Sequence, residues 1–221
     1  GARLCRALLR LVEAATAPAA KAELLRRLAA GARDVAVDLD LAADALRRAL
    51  VLEPGRLADL EALAAVERRR GDEAALAAAL GDWARALESD GRFAQVAAVL
   101  RELAGVLDGR LGRTPEALAL LEKAVSLAPE DRGALSDLAH LSLRAGRAAA
   151  AREAFRALLA HLPEGARPED AARLQQALGV ACQALGDREG ALKALGAAFA
   201  VLPGDDDLGD RLDALLADAG R

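Results

Sequence analysis

Apolar residues return every three to four positions along almost the whole chain, and short polar or glycine-containing breaks interrupt them. The pattern is clearest from Arg173 to Pro203. Leu174, Ala177, Leu178, Ala181 and Cys182 fall on one side of a helix of period 3.6. Gly186 ends that helix, Asp187 is placed to cap the next, and the second run continues to about Val201 before Pro203. The same punctuation recurs at Gly71-Asp72 and in weaker form at Gly146-Arg147, and Thr114-Pro115 reads as an N-cap followed by a first-turn proline. Extended along the chain, these signals predict helices over 2–15, 19–33, 39–52, 56–70, 73–88, 91–108, 115–127, 132–144, 147–161, 168–184, 187–201 and 206–219. The gaps are short and leave no interdomain linker, and Glu164 to Asp170 is a modest insertion with Pro168 in the following first turn.

The helical pattern repeats itself. Shifted by 75 positions, Leu25-Arg26-Arg27-Leu28-Ala29 falls on Leu100-Arg101-Glu102-Leu103-Ala104. In the same register Ala42, Leu46, Ala49, Leu52 and Pro54 meet Ala117, Leu121, Ala124, Leu127 and Pro129, and Leu60, Leu63, Ala64 and Gly71 meet Leu135, Leu138, Ala139 and Gly146. A third copy follows at a spacing of 74, with Pro129 recurring as Pro203 and Gly146 as Gly220. The super-repeats run over 1–75, 76–150 and 151–221, and each holds two helical hairpins.

Leu178-Gly179 in a first helix, Ala191, Leu195 and Ala198 in a second, and Pro203 after it have the spacing of the tetratricopeptide repeat (TPR), which this chain resembles. Leu138-Ala139, Ala151, Phe155 and Pro163 repeat the pattern, with Leu158 in place of the second small residue. Leu63-Ala64 fits a first helix, but Leu76, Leu80 and Trp83 follow without a closing proline. Near Leu28 and Leu103 the turn between helices is one residue longer than usual. The resemblance covers essentially the whole chain. It implies one all-α domain, a right-handed superhelical solenoid of antiparallel hairpins with about five to six repeats and about 12 helices. Small residues at 179, 191 and 198 then let helix backbones approach, and large ones fill the spaces between.

Composition agrees. Apolar content is 54% but aromatics only 2%, carried by Ala, Leu and Val, with no Ile, Tyr, Met or Asn, which favours helix over sheet. The same bias, with abundant Arg and Gly, points to a GC-rich, bacterial-type coding sequence. A net charge of −4 with both signs interspersed argues against a nucleic-acid binder, which would need a basic excess. No apolar run reaches the roughly 18 residues of a membrane-spanning helix. Cys5 and Cys182 lie on apolar stripes many helices apart, read as small buried hydrophobes, and do not fix the compartment. The chain opens without Met, and helix 2–15 aligns with a second helix whose partner is absent, so a fragment of a longer array is expected. Leu4, Leu8, Leu9, Leu11 and Val12 would then leave part of an apolar face uncovered, and dimerisation through this end is expected.

Candidate chemistry is sparse. His140 and His161 are the only neutral-pH bases, and no nucleophile triad or phosphate-binding glycine loop accompanies them, so neither catalysis nor a cofactor is expected. Asp205-Asp206-Asp207 lacks the alternation of a calcium loop and is read as a helix cap. Arg68-Arg69-Arg70 suits a helix C-terminus, and Trp83 is placed in the core. What remains is the concave groove that the resemblance implies. Carried over repeat by repeat, its lining falls on Glu23, Arg26 and Arg33; Glu61, Arg68 and Arg69; Ala98 and Arg101; Ser136, His140 and Arg144; and Arg173, Gln176 and Gln183. The excess of arginine there suggests a partner peptide or protein bearing carboxylates, although Arg is also the abundant basic residue of this chain. The expected function is a non-enzymatic protein-interaction scaffold or adaptor. A regulatory region of a larger enzyme or signalling protein is the alternative, and helical-repeat RNA binding is disfavoured by the acidic total and the lack of Asn.

Overall fold

The protein was analysed as a computed structural model that describes residues 1–219. Among these, helices follow one another without a strand: α1 (Ala2–Ala14), α2 (Pro18–Gly31), a π-helical turn (Ala32–Ala36), α3 (Leu39–Leu52), α4 (Leu57–Arg70), α5 (Glu73–Ser89), α6 (Phe93–Gly109), α7 (Thr114–Leu127), α8 (Arg132–Arg144), α9 (Ala148–Ala160), α10 (Pro168–Ala184), α11 (Arg188–Val201) and α12 (Asp206–Ala219). The architecture is an all-α repeat fold, as the periodicity predicts.

The helix ends follow from local chemistry. Asp72 accepts a hydrogen bond from the Ala75 N–H at 3.0 Å and Asp187 from the Gly190 N–H at 2.9 Å, so each begins a second helix. Gly71 and Gly186 before them adopt φ 73°, a left-handed turn that a side chain would oppose. Asp205 caps α12 through the Leu208 N–H at 3.1 Å, which accounts for the first residue of the aspartate run. Thr114, read as an N-cap, instead donates its hydroxyl to Asp108 at 2.7 Å, and α7 starts at Thr114 itself.

The chain divides into two compact units, Gly1–Leu120 and Leu121–Arg221. In the first, α2 packs on α3, α3 on α4, α4 on α5 and α5 on α6, so each hairpin lies against the next. The core is built from Leu25, Leu28, Ala42, Leu46, Ala64, Val66, Leu80 and Val96, all buried. The second unit repeats the plan with α8 on α9, α9 on α10, α10 on α11 and α11 on α12. There Leu195, Ala198 and Leu208 close one cluster with Ala172, flanked by Phe199 and Leu212. Gly179 shows why the small residues recur: a Cβ added there would stand 2.5 Å from Leu195 Cγ.

Two features depart from the sequence reading. The longer turn near Leu28 becomes a π-helical turn, closed by Asp38 N–H donating to Ala32 O at 2.9 Å, with Val37 at φ 55°. On α1 part of the apolar face is uncovered as expected, with Leu4 and Leu11 exposed and Leu8 and Leu9 half-buried, but Val12 is fully buried.

Candidate functional site

The first helices of the hairpins, α2, α4, α6, α8 and α10, carry the residues expected to line a groove. In the first unit several of the arginines already have partners. Arg26 is largely buried and donates from Nε to Asp59 Oδ2 at 2.8 Å and from its terminal nitrogen to Glu53. Burial works against the Arg26 charge, but the hydrogen bonds to Asp59 and Glu53 outweigh it and hold the guanidinium above its ordinary pKa. Arg56 joins the same carboxylates at 3.5 and 3.6 Å. Arg68 of α4 reaches Glu102 of α6, with Nε to Oε1 at 2.9 Å. Arg33 pairs with the neighbouring Asp34 at 2.7 Å, and that bond holds the Asp34 carboxyl below its usual range.

These bonds are staples between successive first helices. Arg26 to Asp59 spans 33 residues and Arg68 to Glu102 spans 34, one TPR period in each case. The arginine run after Glu67 has the same character, not that of a purely solvated end. Arg70 bridges the buried Glu67 at 2.5 Å and Asp40 of α3 at 2.7 Å, while Arg47 reaches Glu67 from α3 at 2.5 Å. Removing its arginines would leave Glu67 buried and uncompensated, at a cost on the order of 3–5 kcal/mol.

Other candidates face solvent. Glu61 and Arg69 on α4, Ala98 and Arg101 on α6, His140 and Arg144 on α8 and Arg173 on α10 are exposed, while Ser136, Gln176 and Gln183 are half-buried. Glu23, also exposed, binds Arg27 at 3.2 Å. His140 sits edge-on to Phe155, centroids 5.2 Å apart, so the ring is positioned by α9. At the start of α10, hydrogen bonds from Arg167 hold the Asp170 carboxyl below its ordinary pKa against the effect of burial, and the charges of Arg173 and Arg132 add to the shift. Arg69 and Arg173 form no ion pair within 4.0 Å among the described residues.

Two cavities gather four of the candidates of the first unit, and a third is lined by Arg69. One, of about 240 Å3, brings Arg26 and Arg33 beside Asp59 and Ala62. The other, of about 310 Å3, joins Glu61 of α4 and Ala98 of α6 to Trp83 of α5. Trp83, expected in the core, is half-buried and forms part of this wall. The repeat register held the signal for it, since Trp83 stands where Ala198 and Leu158 stand in other hairpins.

Residues 110–178 match the family model described as tetratricopeptide repeat. No curated protein matches the sequence significantly. Among solved structures, the chain is similar to MamA, at 19% identity and TM-score 0.56 over 80% of this chain and 90% of that one. It is similar to YrrB, described as a TPR protein with an unusual peptide-binding site, at 19% identity and TM-score 0.56 over 85% and 90%. A tetratricopeptide repeat protein from Parabacteroides merdae aligns at 21% identity and TM-score 0.53 over 90% and 73%. At these identities the likeness is one of fold.

Proposed function

We propose that this TPR-type helical-repeat array is a non-enzymatic scaffold that holds a partner peptide or protein domain against the exposed faces of its first helices. The observation that carries the reading is the cavity between α4, α5 and α6, where Glu61 and Ala98, predicted groove positions from successive hairpins, open onto one space. A concave site with convergent polar groups is the default binding site of an uncharacterised protein. The fold shared with YrrB, described as a TPR protein with an unusual peptide-binding site, supports the same class of activity.

A partner bearing carboxylates fits the exposed Arg69 and Arg173, because guanidinium pairs bidentately with carboxylate. Arg26, Arg33 and Arg68 contribute less, since acids of this chain already engage them. The uncovered part of α1 adds a second mode of contact, self-association of the chain.

The scaffold reading is tested by placing photo-crosslinking residues singly at Ala98 and His140, and as controls at the exposed Asp44 and Lys193 of second helices. Irradiation in lysate is expected to capture one partner at the first-helix positions alone. Capture confined to Asp44 and Lys193 would move the binding surface to the other face and remove the groove from the account.

A further inference from the structure

Trp83 occupies a position at which other hairpins carry a smaller side chain. Its counterparts are Leu158 and Ala198, which are 2% and 0% exposed. Drawing an indole into so tight a space would force helices apart. Trp83 therefore stays half-buried, and beside it lies the cavity walled by α4, α5 and α6. The single tryptophan of the chain thus lines an open cavity, whereas its counterparts in these hairpins are buried.

The two sides of the cavity differ in charge. On α4, Glu61 is exposed and has no hydrogen bond or ion pair to any described residue. On α6, Arg92 is already engaged, its Nε lying 2.5 Å from Asp90 Oδ2. Gln95 lines the same wall and its side-chain amide bonds no described residue, so a donor remains there for an incoming carbonyl. The unmet charge of the cavity is negative, and it shares the space with an aromatic face.

We propose that this cavity receives a lysine or arginine side chain of the bound partner, its cation set against Trp83 and paired with Glu61. Tryptophan is the best of the aromatic faces for a cation. An apolar side chain would desolvate Glu61 without compensation, and an acidic one would meet a like charge. The Gln95 amide then holds the backbone carbonyl of the same residue. The inference rests on the scaffold reading and names the anchor residue of the partner.

Because Trp83 is the only tryptophan, its fluorescence reports on the cavity. The full chain is titrated with four blocked tripeptides, Gly-X-Gly, in which X is lysine, arginine, Nε-acetyl-lysine or glutamate. The lysine and arginine peptides are expected to shift the emission saturably, and the acetylated and acidic peptides to bind at least about fivefold more weakly. Glu61→Gln should weaken the lysine peptide by a similar factor while leaving the circular dichroism spectrum unchanged, since Glu61 is exposed and bonds no described residue. Equal binding of the acetylated peptide, absence of any response, or a lysine response indifferent to Glu61→Gln would each overturn the assignment. Partner capture at His140 together with any of those results removes the cation site and leaves the scaffold standing, whereas capture only at Asp44 and Lys193 removes both.

Discussion

Val37 is a β-branched residue held at φ 55°, where L side chains other than Asn and Asp are seldom found, and it is 67% exposed. It gains little packing in return for that backbone. Val37→Gly is expected to raise stability by roughly 0.5–2 kcal/mol, the relief of strain less the added freedom of the unfolded chain. A urea melt with an unchanged or lower midpoint would show that the valine contacts hold the turn. Ser142 presents the opposite problem. It is fully buried, and its Oγ has no hydrogen-bond partner. One super-repeat earlier the same position is Glu67, equally buried but held by Arg47 and Arg70. The repeat therefore places a polar group inside at this point twice, and only the first copy supplies the counter-groups. Ser142→Ala is expected to stabilise by about 1 kcal/mol, since an unsatisfied hydroxyl is removed and helix propensity improves. A loss of stability would show the hydroxyl to be paired in solution.

Among the elements, helix positions were legible because their signals are local. Asp72, Asp187 and the glycines before them fix ends through bonds to residues three positions away. The π-helical turn was not, since it depends on how the chain after Gly31 absorbs an extra residue, which composition does not encode. Residues expected to line a groove could be named from the repeat register, but the partners of their charges could not. Asp59 and Glu102 lie 33 and 34 residues from the arginines they bind, about one repeat on, but the register alone does not say which side chains pair across it. The second copy makes the point. Arg101 aligns with Arg26, yet the residues aligned with Glu53 and Asp59 are Ala128 and Ala134, so the same groove arginine has a different setting. Helix contact itself was legible in Gly179, whose added Cβ would lie 2.6 Å from Leu195 Cδ2 and 3.4 Å from its backbone nitrogen. Leu195 is fully buried and has nowhere to retreat. Gly179→Leu should cost about 1–3 kcal/mol or more, the range for an overfilled core. A thermal melt matching the parent would mean that α10 and α11 tolerate a wider spacing.

For the molecule as a whole, the open question of surface is the α1 end. Leu4 and Leu11 are 47% and 53% exposed, and Val35 and Val37 of the adjoining π-helical turn and its end are exposed as well. Scattered single hydrophobes are ordinary on a protein surface, but a cluster on one element and the turn it packs against offers a contiguous apolar contact. The half-buried Leu8 and Leu9 extend it toward the core side, while Val12 is already covered and contributes nothing. Net charge of −4 spread over both signs gives little long-range repulsion between copies at physiological salt. Two copies are therefore expected to associate through this end, weakly and in proportion to concentration. Sedimentation or light scattering should show an apparent mass that rises with concentration and falls little when salt is added, because the contact is apolar. Leu4→Glu with Leu11→Glu should return the chain to monomer without changing its helical signal, as both side chains are about half exposed and neither belongs to the buried core. A parent that stays monomeric at millimolar concentration would rule the contact out. A dimer that survives the double substitution but dissociates in high salt would place the interface on the charged faces of the first helices instead.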